Sequence, residues 1–213
     1  MNTRVAYRKS TLALVGLGAL LVLSSCGERK VFERTWSEEV ELEGGAVVVV
    51  KRHVVYDYSN SFSGEFPLNV ETTSELEVEN STPELDIPRW SAPMRALLLY
   101  RDEATAEWVI VAAIHTCDMW RQKGAPESQY LEFRAHQGIW REGVVSKSSI
   151  GRATNLFMGY VDGLARKRVT LQEKKSAWST FRNGDPAKHI VEKYQNCSNV
   201  LPTKKLASRV DRE

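Results

Sequence analysis

A β-hairpin pattern between Trp36 and Tyr56 constrains the fold of this chain more than any other part of its sequence. Apolar residues alternate imperfectly from Trp36 to Leu42, the dipeptide Gly44-Gly45 follows, and β-branched residues are frequent at positions 46–56. Two such segments joined by a glycine pair are typical of an antiparallel hairpin. The pattern therefore predicts a chain built mainly from β-strands.

The register that we predict for this hairpin pairs Leu42 with Val47 across a two-residue turn. It places Glu38 opposite Lys51 as a cross-strand ion pair and Trp36 opposite His53. One face would then carry Trp36, Val40, Leu42, Val47 and Val49, and the other face Val48, Val50, Val54 and Tyr56. We therefore expect protein to cover both faces of the second strand.

Strand patterns continue after a segment of loop composition from Ser59 to Thr73. They occupy 74–79, which alternates with period two, then 96–100 and 108–114, and finally 130–135 and 139–141 around His136-Gln137-Gly138. Consecutive short strands with tight connections favour antiparallel pairing. We predict a mainly β fold, either an antiparallel β-sandwich or a partly open barrel built from hairpins.

Helical signals are confined to the C-terminal part of the chain. Thr170-Leu171-Gln172-Glu173 has the spacing of a capping box, which predicts a short helix there. Asp185-Pro186 is a second candidate helix start, with a helix continuing to Tyr194. One or two short C-terminal helices are thus expected.

The first 26 residues resemble the signal peptides of bacterial lipoproteins. A basic start at Arg4, Arg8 and Lys9 precedes an apolar run that ends in Leu23-Ser24-Ser25-Cys26. The apolar run is too short to span a bilayer core, which needs about 20 residues. The resemblance implies cleavage before Cys26 and lipidation of its thiol and its new amino terminus. An ordinary cleaved leader with a coincidental cysteine is the alternative.

A lipoprotein leader carries further implications for location and boundaries. Gly27 after the cysteine implies sorting to the outer membrane, with the protein facing the periplasm. The expected divisions are a removed signal peptide (1–25), a lipid anchor and tether (26–34), a single β-rich domain (35–201) and a flexible tail (202–213). Lipid on Cys26 would then make the membrane the first partner of this protein.

The charge of the chain is unevenly distributed. The leader holds three of the 29 basic residues and no acidic residue, so the remainder is nearly neutral and nucleic acid is not an expected partner. Acidic residues prevail over 27–162 and basic residues over 163–213. Either the basic segment packs across the acidic body, or it contacts anionic lipid or an acidic partner. The candidate contact residues are Arg166, Lys167, Arg168, Lys174 and Lys175.

Two cysteines remain once Cys26 is assigned to lipid. Cys117 and Cys197 would meet in an oxidising compartment, so we predict a disulfide between them. The alternative is a metal or nucleophile site that uses His115 and Cys117, but no further ligands lie nearby at the usual spacing. No metal and no cofactor is predicted.

Several short motifs in the body resemble a group of small proteobacterial proteins of unknown function. They are Trp36-x-Glu38-x-Val40-x-Leu42-x-x-Gly45, Val48-Val49-Val50-x-Arg52, Cys117-x-x-Trp120 and Gln137-Gly138-x-Trp140. The resemblance covers roughly residues 35–145 and implies no activity.

Aromatic residues supply the candidate binding surface. Trp90, Trp120 and Tyr130 lie beside proline or loop residues, and together with the loop Ser59–Pro67 they could form a ligand groove. Trp36, Trp108 and Trp140 lie within strand patterns and are expected in the core.

The function that we predict is a non-catalytic one: binding of an envelope protein or another envelope component. Phosphate-binding, zinc-protease and serine-hydrolase motifs do not occur in the sequence, and no catalytic residue is assigned. The alternative is an envelope hydrolase in which His115 or His136 is oriented by Asp118 or Glu132. A third possibility is a structural role, in which the anchor and the basic segment hold the domain flat on the membrane.

Overall fold

The computed structural model describes residues 30–59, 68–79, 85–157, 168–179, 188–192 and 197. These residues form β1 (Lys30–Glu41), β2 (Val47–Ser59), β3 (Leu68–Val78), β4 (Trp90–Ala92), β5 (Arg95–Arg101), β6 (Trp108–Ala113), α1 (Cys117–Gln122), β7 (Tyr130–His136), β8 (Ile139–Val144), β9 (Arg168–Val169) and α2 (Leu171–Ser179).

The strands form two sheets that pack against each other. One has the order β4-β3-β2-β1-β9 and is antiparallel except for the two-residue pairing of β1 with β9. The other is antiparallel with the order β5-β6-β7-β8. The main core lies between them and includes Val50, Leu76, Trp90, Leu99 and Ile110, all of them fully buried. The prediction of a mainly β sandwich is confirmed.

The predicted register of the first hairpin is wrong by one residue. Glu41 pairs with Val47 and Trp36 with Arg52, and the chain turns through a longer connection in which the Leu42 N–H donates to the Ala46 carbonyl at 2.7 Å. Gly44 and Gly45 both have positive φ, at 85° and 82°, as a connection of this shape requires. The glycine pair indicates where the chain turns but not how many residues the turn contains.

The shift moves each side chain of β2 to the opposite face from the one predicted. Val48, Val50 and Arg52 now share the buried face with Trp36, while Val47 is 50% exposed. The outer face of β2 is exposed or half-exposed, so the expectation that both faces are covered is also wrong.

Other strand predictions agree with the structure more closely. Residues 96–100 and 108–114 lie largely in the hairpin β5–β6. The β7–β8 hairpin turns at Gln137-Gly138, both with positive φ, as the glycine predicts. However, β3 begins at Leu68, so the part of the predicted loop that covers residues 68–73 is wrong, and residues 60–67 lie outside the described residues.

The two predicted C-terminal helices have different outcomes. In α2 the Thr170 N–H donates to Glu173 Oε2 at 2.8 Å, and the Glu173 N–H donates to Thr170 Oγ1 at 3.3 Å, which completes the expected capping box. The second helix is wrong for residues 188–192, which are not helical and include an antiparallel bridge between His189 and Ala153. The sequence also did not indicate α1.

The disulfide joins α1 to the C-terminal segment. The sulfur atoms of Cys117 and Cys197 are 2.08 Å apart, and the bond links residues 80 positions apart in the sequence. Gln129 donates to the Cys197 sulfur at 3.2 Å in a buried position. Ile190, just before Cys197, packs fully buried against the outer face of the second sheet. Of the described C-terminal residues, Ile190 and Cys197 are therefore packed into the folded domain.

Candidate functional site

The aromatic residues predicted to form a binding surface do not form one. Trp90 is fully buried because β4 pairs with β3 and directs the indole into the main core, edge to face with Phe133 at 5.4 Å. Tyr130 is 1% exposed at the start of β7. Trp120 is half-buried, and its indole N–H donates to the Pro126 carbonyl at 2.9 Å. The burial of Trp90 and Tyr130 removes both from the predicted binding surface, and most of the predicted loop lies outside the described residues.

The basic residues of the C-terminal segment contact the acidic body. Arg168 pairs with Glu39 at 3.0 Å, and Lys175 lies 3.5 Å from Glu41. Lys174 is fully buried, so it cannot contact lipid headgroups as predicted. Arg166 and Lys167 lie outside the described residues. These pairs agree with the interpretation in which the basic segment packs across the body.

Lys174 belongs to a buried network of charged groups centred on Glu38. The Glu38 carboxylate accepts from Arg52 Nη1 at 3.1 Å and from Lys174 Nζ at 2.5 Å, and the side chains of all three residues are at most 1% exposed. The Phe157 N–H also donates to Glu38, at 2.7 Å. Two cations thus share one carboxylate inside the protein.

The electrostatics of this network favour a structural role. Burial lowers the pKa of Lys174, and the nearby Arg52 charge adds to that effect, while Glu38 opposes it. Lys174 Nζ also donates to the Asn155 carbonyl at 2.7 Å. A buried charge that is paired and hydrogen-bonded in this way is costly to expose or to leave alone. The network therefore fixes helix α2 and the segment around Asn155 to the first sheet.

The sequence contains a signal for half of this network that the predicted register obscured. Glu38 lies two residues from both Trp36 and Val40, and Arg52 lies two residues from both Val50 and Val54. Residues two apart in a strand share a face, so each charge falls on an apolar face. When the apolar faces of two paired strands lie on the same side of a hairpin, opposite charges within them indicate a buried pair. No comparable signal identifies Lys174, because its burial depends on the docking of α2.

His115, one of the two candidate catalytic histidines, lies beside Glu71 and not beside Asp118. His115 Nε2 is 3.4 Å from Glu71 Oε2, and Arg95 Nε donates to Glu71 Oε1 at 2.5 Å. Burial alone would raise the pKa of Glu71, but the His115 ring, Arg95 and Arg52 outweigh burial and lower the pKa to about 2. Asp118 is 82% exposed and pairs with Arg121. Glu71 is thus held as a carboxylate that anchors its neighbours.

His136, the other candidate, lies at an exposed turn beside Glu107, at 3.1 Å. Its predicted partner, Glu132, is buried and accepts from Ser146, Ser149 and Arg134 at 2.6–3.0 Å. Burial would raise the pKa of Glu132, but these hydrogen bonds lower it overall. The structure therefore gives each histidine a carboxylate partner other than the predicted one.

Two clefts flank the connection between β1 and β2. The larger, of about 500 Å³, lies between this connection and the β5–β6 turn. Leu42, Leu85 and Trp108 supply its apolar lining, and Glu43 and Glu103 supply acidic groups. Arg101 lies over the Trp108 ring at 5.8 Å. A largely apolar floor with a few charged groups is the usual composition of a binding site.

The second cleft, of about 310 Å³, shares Leu42 and Glu43 with the first. Arg152 lies over the Tyr100 ring at 4.1 Å and forms an ion pair with Glu43. Helix α2 contributes the remaining wall through Leu171, Lys175 and Trp178. The indole nitrogen of Trp178 is buried without a hydrogen-bond partner among the described residues. The two clefts together form the candidate binding site of this protein, with Leu42 and Glu43 between them.

Within the described ranges, His, Cys, Asp and Glu side chains form no group able to hold a metal ion. Over the same ranges, no helix has the length and apolar character needed to cross a membrane.

Comparison with known proteins gives no relative from which a function could be transferred. No protein-family model, curated protein or solved structure matches the chain. The resemblance of the hairpin motifs to uncharacterised proteobacterial proteins therefore stays a prediction.

Proposed function

We propose that this chain is a lipid-anchored protein of the cell envelope that binds another protein or an envelope component without catalysing a reaction. In this proposal, Cys26 carries the lipid, the outer membrane holds the protein, and the folded domain faces the periplasm. The leader sequence is the basis for the anchor, and the clefts beside the β1–β2 connection are the basis for the binding role.

The observation that carries the binding role is the pair of clefts that share Leu42 and Glu43. Ligand sites are commonly concave, mainly apolar and marked by a few oriented polar groups. Here Trp178 contributes partly exposed aromatic surface, Trp108 and Tyr100 line the clefts with 8% and 1% of their surface exposed, and charged side chains border both clefts. Aromatic residues beside arginine are also the groups that contribute most to protein interfaces.

The alternative, an envelope hydrolase, draws less support from the same geometry. A general base works best with a pKa near the working pH. Glu71 has a pKa of about 2, and the Glu132 oxygens already accept hydrogen bonds from serine and arginine side chains. Both carboxylates are better suited to hold neighbouring residues in place.

The anchor is tested by changing the proposed lipidated residue. Cys26→Ala should yield protein that takes up no labelled palmitate and leaves the membrane fraction, whereas the wild type is labelled. Cys117→Ser is the matched control, because it removes a cysteine outside the leader and should keep the label. Normal labelling of the Cys26 variant would contradict the anchor but would leave the binding role open to its own test.

The binding role is tested by crosslinking the full-length protein in its own envelope and identifying what it retains by mass spectrometry. Ala46 lines the larger cleft and is exposed, so Ala46→Trp fills the cleft without disturbing the core. We expect the wild type to retain one stoichiometric partner and Ala46→Trp to retain about tenfold less, a change equivalent to roughly 1.4 kcal/mol.

Gln122→Trp provides the control for this experiment, since it adds the same side chain to an exposed position on α1. It should retain the partner as the wild type does. Equal retention by both tryptophan variants would contradict the assignment of the clefts. A bait that retains nothing would contradict binding of a macromolecule and redirect the search to small ligands and catalysis.

A further inference from the structure

Strand β8 occupies the edge of the second sheet and, among the described residues, pairs only with β7. The β7–β8 hairpin has a two-residue turn, and His136 and Ile139 are the paired residues that flank it. In a hairpin of this kind, the pair that flanks the turn is hydrogen-bonded. Alternation along the ladder then directs the backbone N–H and C=O groups of Trp140, Glu142 and Val144 away from β7. The strand thus presents a row of backbone donors and acceptors at the sheet edge.

The side chains of β8 leave this edge open. Ile139 is 67% exposed and Val144 is 79% exposed. The strand contains no proline, and its pairing with β7 over all six residues shows no bulge. Proline and bulges are common means by which proteins prevent other strands from adding to an edge. The charges of Arg141 and Glu142 are the protective feature that β8 does have.

These two charges oppose pairing of β8 with a second copy of itself. A two-fold axis that relates two antiparallel edge strands is perpendicular to the sheet, so each residue and its copy lie on the same face. Opposing residues in an antiparallel pair also share a face, so they are both odd-numbered or both even-numbered. The registers that pair most of the strand are centred on Arg141 or on Glu142, and each places a charge opposite its own copy. Like charges directly opposite destabilise strand pairing. The edge therefore favours a strand of different sequence.

We propose that β8 docks an extended peptide segment of another envelope protein as an additional antiparallel strand. The segment carries a carboxylate opposite Arg141 and apolar side chains opposite Ile139 and Val144. Main-chain hydrogen bonds supply affinity in this mode of recognition, and side-chain pairs supply specificity. The inference rests on the binding role proposed above and adds a surface distinct from the clefts.

The charge complementarity follows from what each charged side chain already contacts. Glu142 pairs with Lys123 at 2.6 Å. Arg141 is exposed and forms no ion pair with any described residue, and it lines a cleft of about 380 Å³. Arg141 would lie at a non-hydrogen-bonded position of the new ladder, where opposing side chains come closest. A carboxylate at that position would have an unpaired guanidinium to bind.

The test uses the purified full-length protein in detergent and a labelled ten-residue peptide of alternating valine and threonine with one central glutamate. We expect this peptide to bind about tenfold more tightly than the same peptide with lysine at that position, as measured by fluorescence anisotropy. The amides of Trp140, Glu142 and Val144 should gain protection from hydrogen exchange when the peptide is bound.

Substitutions at Glu142 separate backbone docking from other contacts. Glu142→Pro removes an edge N–H that β7 does not use, a position where an edge strand tolerates proline, and should weaken binding about tenfold. Glu142→Ala removes the same carboxylate but keeps the N–H, and should bind like the wild type. Equal affinity of the two variants, or of the two peptides, would overturn the proposal.

Arg141→Glu should reverse the preference between the two peptides, and it tests the proposal even where the proline variant does not fold. An unchanged preference would overturn the charge pairing. Since neither peptide nor variant involves the clefts, failure here is distinguishable from failure of the Ala46→Trp experiment.

Discussion

Glu38 is the centre of the buried charged network in the described part of this protein. Its carboxylate binds two buried cations and one backbone N–H, and the residue is 0% exposed to solvent. Removing the carboxylate would leave Arg52 and Lys174 charged and uncompensated. Removing Lys174 would leave Glu38 with Arg52 and the Phe157 N–H. The two changes are therefore unequal, although they break the same contact.

We expect Glu38→Gln to lower the free energy of unfolding by about 3–5 kcal/mol, because it leaves two buried cations without their carboxylate. Lys174→Met should cost less, about 1–3 kcal/mol, since Glu38 keeps its other partners. The double variant should be destabilised by less than the sum of the two. Urea unfolding of the four proteins measures this coupling, and strict additivity would show that Glu38 and Lys174 do not interact.

The candidate site was only partly predictable at the scale of single residues. Alternation along each strand of the first hairpin places Glu38 and Arg52 among apolar residues, but only the observed register puts both charges on the same face. The burial of Trp90 and Tyr130 could not be read in the same way, because each lies at the start of a strand. Whether such a residue faces the core depends on which strand lies beside it.

Helix α2 is a short element that is stabilised by contacts at its N-terminus and by one contact with the core. Its N-terminus is closed by the reciprocal hydrogen bonds of Thr170 and Glu173, and the Leu171 N–H donates to Glu39 at 3.1 Å. Lys174 fixes the helix to the core through its buried ion pair with Glu38. A nine-residue helix is too short to be stable alone, so these contacts determine whether it forms.

Thr170→Ala should lower the free energy of unfolding by about 1 kcal/mol, the usual cost of losing an N-cap side chain. Thr170→Ser keeps the hydroxyl and should be close to the wild type. Hydrogen exchange of the α2 amides, read beside urea unfolding, assigns the loss to the helix. If Thr170→Ala and Thr170→Ser unfold alike, the cap does not contribute as proposed.

Elements were predicted well where their signal is local. The β5–β6 and β7–β8 hairpins and the capping box of α2 are each specified by residues within one short segment. The first hairpin failed in register because the glycine pair fits connections of more than one length. The failure at 188–192 has a different cause: this segment follows a helix-start signal, but it is not helical, and Ile190 packs on the second sheet.

At the scale of the whole molecule, the described parts of the C-terminal third contact both sheets. Residues 168–179 lie against β1, and Ile190 covers the outer face of the second sheet. The disulfide then ties Cys197 to α1. The fold class followed from the strand patterns, but this long-range arrangement depends on contacts between residues distant in the sequence, which no local pattern contains.

Replacing both Cys117 and Cys197 with serine should lower the free energy of unfolding by up to about 4–5 kcal/mol, because a closed loop of 80 residues restricts the unfolded chain. The measurement is urea unfolding of the oxidised wild type, the reduced wild type and the double variant. The latter two should agree. Equal stability of all three proteins would show that the bond does not constrain the unfolded state.

The length of β1 has a consequence for where this protein could act. The strand contains 12 residues and spans about 40 Å, from Lys30 at one end to the connection beside the clefts at the other. Four residue steps separate Cys26 from Lys30, a reach of at most about 14 Å. With Cys26 lipidated as proposed, the bilayer would lie at the Lys30 end. The clefts would then lie at the opposite end of β1 from the anchor, separated from it by about 40 Å of strand.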